Sequence, residues 1–255
     1  MYYLASCSIT KDEDNYIDDF VKIHKHLGVE FFLFFDRSKN PLSERFKGRD
    51  DIKVIHFPEP LRHADAWLEG VKYFTDKSKW VQFIDIDQVV VPVKSNNIPD
   101  MLYPYQNFAA LGLNWHTFGS SGLEKEPTIS TYEAYTKRAL ANCPINNHIQ
   151  SIVQPNRVIQ RKWGDPHHPP LSNQESQINE RFEFFKGPFN KPSSQNIGFI
   201  AHYYTRSREY WAKKISKMRA DTGTSAGTMQ DFDHHQSYTN EEEDLIIKNI
   251  WSKCV

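Results

Sequence analysis

Up to residue 92 the chain alternates between segments that are apolar throughout and segments whose apolar residues recur every three or four positions. Residues 2–9 predict a buried strand, and the charged turn "TKDED" follows it. From Tyr16, the positions Ile17, Phe20, Ile23, His24 and Leu27 fall at helical spacing, and Gly28 ends the helix. "VEFFLFFD" predicts a second buried strand ending on Asp36, and "IKVIHFP" a third. Leu61, Ala64, Leu68, Val71 and Phe74 mark a second amphipathic helix, and "KWVQFIDID" reads as the fourth strand. Fully apolar strands alternating with helices predict an α/β fold whose mainly parallel sheet is covered on both faces. In open sheets of this kind ligands bind at the carboxyl ends of the strands. Three of the four predicted strand ends here are polar or acidic: "TKDED", Asp36 and "DID".

The alternation stops after residue 92. "FAALGLNWHTFGSSG" predicts a strand running into a loop, with Gly119 and Gly122 permitting tight turns. "SIVQPNRVIQRKW" reads as two short strands, "GDPHHPPLSNQES" as a loop and "NIGFIAHYYT" as a further buried strand. "SREYWAKKISKMRA" predicts a helix with Ser207 as its N-cap. "GTSAGTMQ" reads as a flexible link, and Glu241 to Trp251 as a terminal helix whose first turn carries "EEED". No repeat or composition shift divides the chain, so one domain is expected over residues 1–255.

Composition narrows the classes. A net charge of −1 without a Lys/Arg block argues against a dedicated nucleic-acid surface or an anionic-membrane surface. No segment approaches a membrane span, and the start "MYYLASCSIT" has no basic n-region, so no membrane insertion and a cytoplasmic location are expected. Cys7, Cys143 and Cys254 are far apart and odd in number, which suits a reducing compartment. Six Trp residues are either core or stacking surfaces for sugars.

The chemistry centres on "WVQFIDIDQVVVP", where Asp85 and Asp87 interrupt an apolar run. Burying an ionised carboxylate costs several kcal/mol unless it is paired. In an extended strand residues i and i+2 point the same way, so the two carboxylates can address one ligand. Hard oxygen ligands suit Mg²⁺ or Mn²⁺, which in turn can bind diphosphate oxygens. Asp-x-Asp after an apolar strand also fits a haloacid-dehalogenase-type phosphatase with Asp85 as nucleophile, and Val89 suits that pattern. That family carries its motif on the first strand, whereas three strands precede it here. A non-catalytic carbohydrate-binding protein would use the aromatic residues but not the acidic strand ends.

Four stretches in order, "KDEDNYIDDFVKIHKHLGVEFFLFFD", "WVQFIDIDQVVVP", "WHTFGSSG" and "AHYYTRSREYW", resemble glycosyltransferases of the GT-A fold. More narrowly, they are similar to the family 92-like group with its bacterial and algal-virus relatives. The resemblance implies transfer of a sugar from a nucleotide-sugar donor, a UDP-sugar in the first instance, to a glycan or glycoprotein acceptor, with Mn²⁺ or Mg²⁺ and inversion. It divides the chain into a donor-binding half (1–92), an acceptor-side half (93–220) and a helical C-terminal extension (221–255). It implies that Ser8, Lys11, Asp12, Glu13, Asp36 and Asp85 contact the donor, with Arg206 reaching a phosphate. Asp87, Asp85 and His202 would form the metal site, the other reading of His202 being a core histidine. Trp115, Phe118, Gly119, Ser120 and Ser121 would border donor sugar and acceptor. An inverting transferase also needs a carboxylate base, and Asp221 and Glu133 are the candidates. Two positions depart from the group's pattern: Asp12 stands where Asn is usual, and Gln88 where Glu is usual.

Overall fold

The computed structural model describes residues 1–57, 62–161, 163–172, 175–217, 219 and 223–254. Its strand Phe31–Asp36 shows how the sheet is covered. Phe32 and Phe34 enter one core with Phe20, Ile23 and Leu27, while Leu33 and Phe35 enter another with Trp67, Val71 and Phe74. Successive side chains face opposite layers, so a doubly covered strand has no position left for a polar residue.

The first part of the chain forms β1 (Tyr2–Thr10), α1 (Ile17–His26), β2 (Phe31–Asp36), α2 (Leu42–Arg45), β3 (Ile52–His56), α3 (His63–Phe74) and β4 (Ser78–Phe83). This is the expected alternation, and Gly28 at φ +99° closes α1. Leu61, assigned to the second helix, lies outside the described residues. Then follow β5 (Gln88–Pro92), α4 (Ile98–Leu102), β6 (Ala110–Thr117), α5 (Thr131–Ala134), β7 (Lys137–Arg138) and β8 (Ile149–Val153). The remainder comprises β9 (Gln177–Ile178), β10 (Phe184–Phe185), β11 (Gly198–His202), α6 (Arg208–Ser216), α7 (Met229–Thr239), β12 (Glu242–Glu243) and α8 (Ile246–Trp251).

The main sheet has the order β10-β9-β6-β8-β4-β1-β2-β3, with β11 joining β6 to β5. Strands β1 to β4 are parallel neighbours; β8 runs against both β4 and β6, and β11 runs with β6. It follows that β1, β2, β3, β4, β6 and β11 all end on the same edge of the sheet. This is the α/β, mainly parallel architecture that the sequence led us to expect, and that edge gathers the site. Trp67, Trp80, Trp163, Trp211 and Trp251 are buried, so most of the tryptophan content is core. Among the described residues no helix is long and apolar enough to cross a membrane.

Four expectations are corrected. The fourth strand stops at Phe83 and β5 begins at Gln88, leaving Asp85 and Asp87 in a turn. β4 is already flanked by β1 and β8, so the chain must leave the line of β4 before β5 can pair antiparallel with β11. Among the described residues of "SIVQPNRVIQRKW" only the first strand forms, because Pro155 opens a 3-10 turn over Pro155–Arg157. The expected link "GTSAGTMQ" runs directly into α7, which starts at its Met229 under a reciprocal Thr228–Asp231 cap; the helix buries only Phe232 and Thr239, so no apolar stripe announces it. Finally, "EEED" does not open a helix. Glu242 and Glu243 pair with β7, and Arg138 binds Glu242 (2.8 Å) and Asp244 (2.7 Å).

Candidate active site

The strand ends on the common edge enclose a cavity of about 340 Å³. Asp85 and Asp87 both line it, although from a turn rather than from an extended strand, and each has its own partner. Asp85 Oδ1 lies 2.9 Å from Nε2 of His63, the residue that opens α3. The side chain of Asp87 is only 14% exposed; its Oδ2 accepts from Lys214 Nζ at 3.1 Å, and its Oδ1 stands 3.5 Å from His202 Nε2. Burial by itself would raise the Asp87 carboxyl, but Lys214, His202 and Arg206 hold it well below the usual carboxylate range. Gln88 maintains the turn: its side-chain oxygen accepts the Asp85 N–H at 3.2 Å.

The loop after β1 brings Lys11, Asp12 and Glu13 to the same cavity. Asp12 sits at φ +53°, a region that Asn and Asp tolerate better than most residues. Its Oδ1 accepts the Lys39 N–H at 2.9 Å, so the carboxylate fastens the loop. The Glu13 carboxyl is pushed up to about 6, chiefly by burial and further by Asp87, against the pull of Arg206 4.0 Å away. Arg206 does not line the cavity. It is 2% exposed, at φ +50°, with its guanidinium 3.8 Å from the Tyr16 ring centre and 4.6 Å from that of Tyr210. It therefore acts on Glu13 and Asp87 through its field, not by touching a ligand.

Trp115 reaches the cavity from β6 and packs among three histidines, with ring centres 4.6 Å from His148, 5.6 Å from His167 and 4.3 Å from His202. The rest of its motif turns away. Phe118 is fully buried, Ser120 N–H donates to Gln236 and Ser121 N–H to Asn240. A Cβ on Gly119 would stand 2.5 Å from both Thr239 O and Asn240 Oδ1. That loop is a seam against α7, not a wall of the cavity.

Other expected residues also fall elsewhere. Ser8 is fully buried inside β1. Asp36 is fully buried too, its Oδ1 accepting from Ser38 N–H (2.9 Å) and its Oδ2 from Leu42 N–H (2.8 Å). Neither is among the cavity residues, and Glu133 on α5 is not either. Asp221 lies outside the described residues.

Sequence reasoning missed the opposite wall. Lys213, Lys214, Lys217 and Arg219 face the acids from α6 and the segment after it. Tyr210, Lys213, Lys214 and Lys217 recur at helical spacing, a stripe that could have been noticed but reads as readily as a solvated face. Glu126, from the loop after β6, ties the two walls together by accepting from Tyr16 Oη and from Lys213 Nζ (2.6 Å).

For a divalent cation the donor set is suggestive. Asp87 Oδ1 is buried without a hydrogen-bond partner and stands 3.5 Å from His202 Nε2; the other ring nitrogen of His202, Nδ1, is buried and unpartnered as well. Among the described residues no three His, Cys, Asp or Glu side chains are grouped to hold a metal. The pair fits a cation that takes its remaining ligands from a bound substrate.

Residues 3–241 match the model of Glycosyltransferase family 92. A glycosyltransferase family 92 protein of Ricinus communis is 23% identical over 178 residues, covering 65% of this chain and 31% of the relative. Another, of Oryza sativa subsp. japonica, is 22% identical over 225 residues, 84% of this chain and 35% of the relative. The chain thus spans about a third of the length of these curated relatives. Among solved structures, the glucosyl-3-phosphoglycerate synthase of Mycobacterium tuberculosis is 11% identical, with a TM-score of 0.37 over 62% of this chain and 58% of that one. With nearly the whole sequence matched by one family, this chain belongs to glycosyltransferase family 92.

Proposed function

We propose that the chain is a metal-dependent glycosyltransferase that moves a sugar from a nucleoside-diphosphate donor, a UDP-sugar in the first instance, to a glycan or glycoprotein acceptor with inversion. The observation that carries this reading is the pairing of two walls of opposite sign across one cavity at the carboxyl edge of the sheet. Five carboxylates and five Lys or Arg side chains line it, so the lining is formally neutral. A divalent ion and a donor diphosphate, with one negative charge on each phosphate, leave that balance unchanged when they bind together.

In this reading Asp87 and His202 hold the ion. When bound there, Mn²⁺ or Mg²⁺ supplies a Lewis acid for the charge that grows on the departing nucleoside diphosphate. Lys11 to Glu13 meet the nucleoside, and Lys217 and Arg219 meet the phosphates. Trp115 offers a flat apolar surface to a sugar ring. The acceptor hydroxyl attacks in line, and its proton passes to a carboxylate. Asp221 keeps its place as a candidate for that role, beside Glu13 and Glu126, which line the cavity.

The test is thermal unfolding with UDP-, GDP- and TDP-sugars, with and without Mn²⁺. A donor at about a hundred times its Kd adds roughly 2.7 kcal/mol, a rise of about 5–10 °C for a chain of this size. Stabilisation by a UDP-sugar only when Mn²⁺ is present supports the reading. No shift with any of the sugars, at millimolar concentration and with Mn²⁺, overturns it.

A further inference from the structure

Lys214 holds a carboxylate that the proposed function gives to a metal. Its Nζ donates to Asp87 Oδ2 at 3.1 Å and to the Tyr204 carbonyl at 2.8 Å, and lies 4.4 Å from the centre of the Tyr204 ring. The neighbouring lysines are bound otherwise. Lys213 pairs with Glu126 and Glu209, and Lys217 donates to the Asp12 carbonyl at 3.2 Å. Lys214 is therefore the lysine of this stripe that is committed to the Asp-x-Asp turn.

We propose that Lys214 is the resident counter-ion of Asp87, exchanging that carboxylate for a donor phosphate when a divalent ion arrives, so that metal and donor binding depend on each other. The inference rests on the metal-and-donor reading above. A shielded carboxylate without backbone N–H donors needs a cation beside it, and Lys214 meets that need before a metal does. A divalent ion on the same carboxylate repels an ammonium a few ångströms away, and the repulsion is strong where water is scarce. An ammonium on a flexible four-carbon stem can move where a planar, bidentate group could not. Released from Asp87, it keeps the Tyr204 carbonyl as an anchor and faces a cavity in which a diphosphate is the natural anion. Metal alone thus displaces a cation that has no new partner, whereas metal with donor supplies one. The coupling is reciprocal by linkage.

The experiment measures Mn²⁺ binding to the intact chain from the free-Mn²⁺ electron paramagnetic resonance signal, with and without UDP. Wild type is expected to bind Mn²⁺ at least about fivefold more tightly when UDP is present, the lower end of ordinary site-to-site coupling. Lys214→Met should bind Mn²⁺ without UDP at least about fivefold more tightly than wild type, and UDP should improve its affinity less. Lys214→Gln serves if the Met variant does not fold, and Lys72→Met, outside the cavity, should bind Mn²⁺ alone as wild type does. Unchanged Mn²⁺ affinity in folded Lys214→Met or Lys214→Gln, with wild type still binding Mn²⁺ and UDP, overturns the counter-ion role alone. If wild type binds no Mn²⁺ even with UDP, the metal-dependent reading itself falls and takes this inference with it.

Discussion

Asp36 ends β2 and Asp87 follows β4 at the same edge of the sheet, and both are shielded from water, yet their surroundings differ in kind. The carboxylate of Asp36 is satisfied by two backbone N–H groups, from Ser38 and Leu42. Those donors are fixed by the chain path and cannot leave without unfolding the turn before α2. Asp87 is satisfied by two side chains, Lys214 and His202, and one of its oxygens accepts no hydrogen bond. Side-chain partners can be exchanged for a ligand, whereas backbone partners cannot. The contrast separates an aspartate that builds the fold from one that is available for chemistry, although the sequence presents both as an acid at the end of an apolar run.

The largest expected effect tests the exchangeable side of this contrast. Asp87→Ala should lower transfer by about 10²–10³-fold or more, the scale of losing one preorganised charge-stabilising group. Its melting temperature should stay close to wild type, and a radiolabelled-sugar assay beside a melting curve reads both quantities. Activity within a few-fold of wild type would remove Asp87 from the chemistry.

Asp36→Ala should show the opposite signature. It strands two buried N–H donors, each worth about 1–3 kcal/mol, so a urea-unfolding loss of roughly 2–6 kcal/mol is expected. Mn²⁺ affinity of the folded fraction should not change. A shift in that affinity with intact stability would move Asp36 back into the donor site.

A third buried group extends the comparison, because it meets one backbone carbonyl and no charged side chain. His24 is fully buried on α1, its Nδ1 donating to the Phe20 carbonyl at 2.8 Å, and burial depresses its pKa to about 4. The unfolded imidazole titrates near 6.5, so between about 6.5 and 4 the unfolded chain binds the extra proton. His24 therefore contributes full stability above that window and loses about 3 kcal/mol as the pH falls through it. His116 and His148, lowered by burial to about 3 and about 4, act in the same direction. Urea midpoints from pH 7.5 down to 4.5 should fall steadily, and less steeply in His24→Met. An equal slope in the variant would exclude His24 as a source.

Smaller effects test the parts of the predicted site that the fold turned away from the cavity. Gly119→Ala forces a methyl group against Thr239 and Asn240. It should cost about 1–3 kcal/mol, the usual range for overpacking, with turnover per folded molecule unchanged. A specific loss of acceptor binding would restore that loop to the acceptor side. Glu133→Gln should leave turnover within about twofold, far short of the 10²–10⁴ expected for a general base. A large fall in kcat at normal stability would reinstate it.

Much of the fold was legible because local pattern and tertiary role coincide in the first part of the chain. "VEFFLFFD" can only be a strand covered on both faces, and the apolar spacing from Ile17 to Leu27 can only serve a helix with one buried side. The acids of Asp85, Asp87 and Glu13, the ring of Trp115 and the imidazole of His202 were legible as candidates for a related reason. A carboxylate or a histidine in or beside an apolar strand asks for a partner, and sequence displays that request. It does not display who answers. Whether Asp36 meets backbone and Asp87 meets Lys214, 127 residues away along the chain, depends on which strand ends and helix faces the sheet order brings together. For the same reason the sequence around Arg206 suggests a phosphate ligand whereas Tyr16 and Tyr210 stack against it, and the lysines of α6 carry no signal of their own. The sequence by itself determined the layers, the strand edge and the acidic wall, all set by short-range periodicity and the cost of burying charge. Only the tertiary structure decided the basic wall and the partner of each carboxylate, because a cation's role depends on what faces it across space.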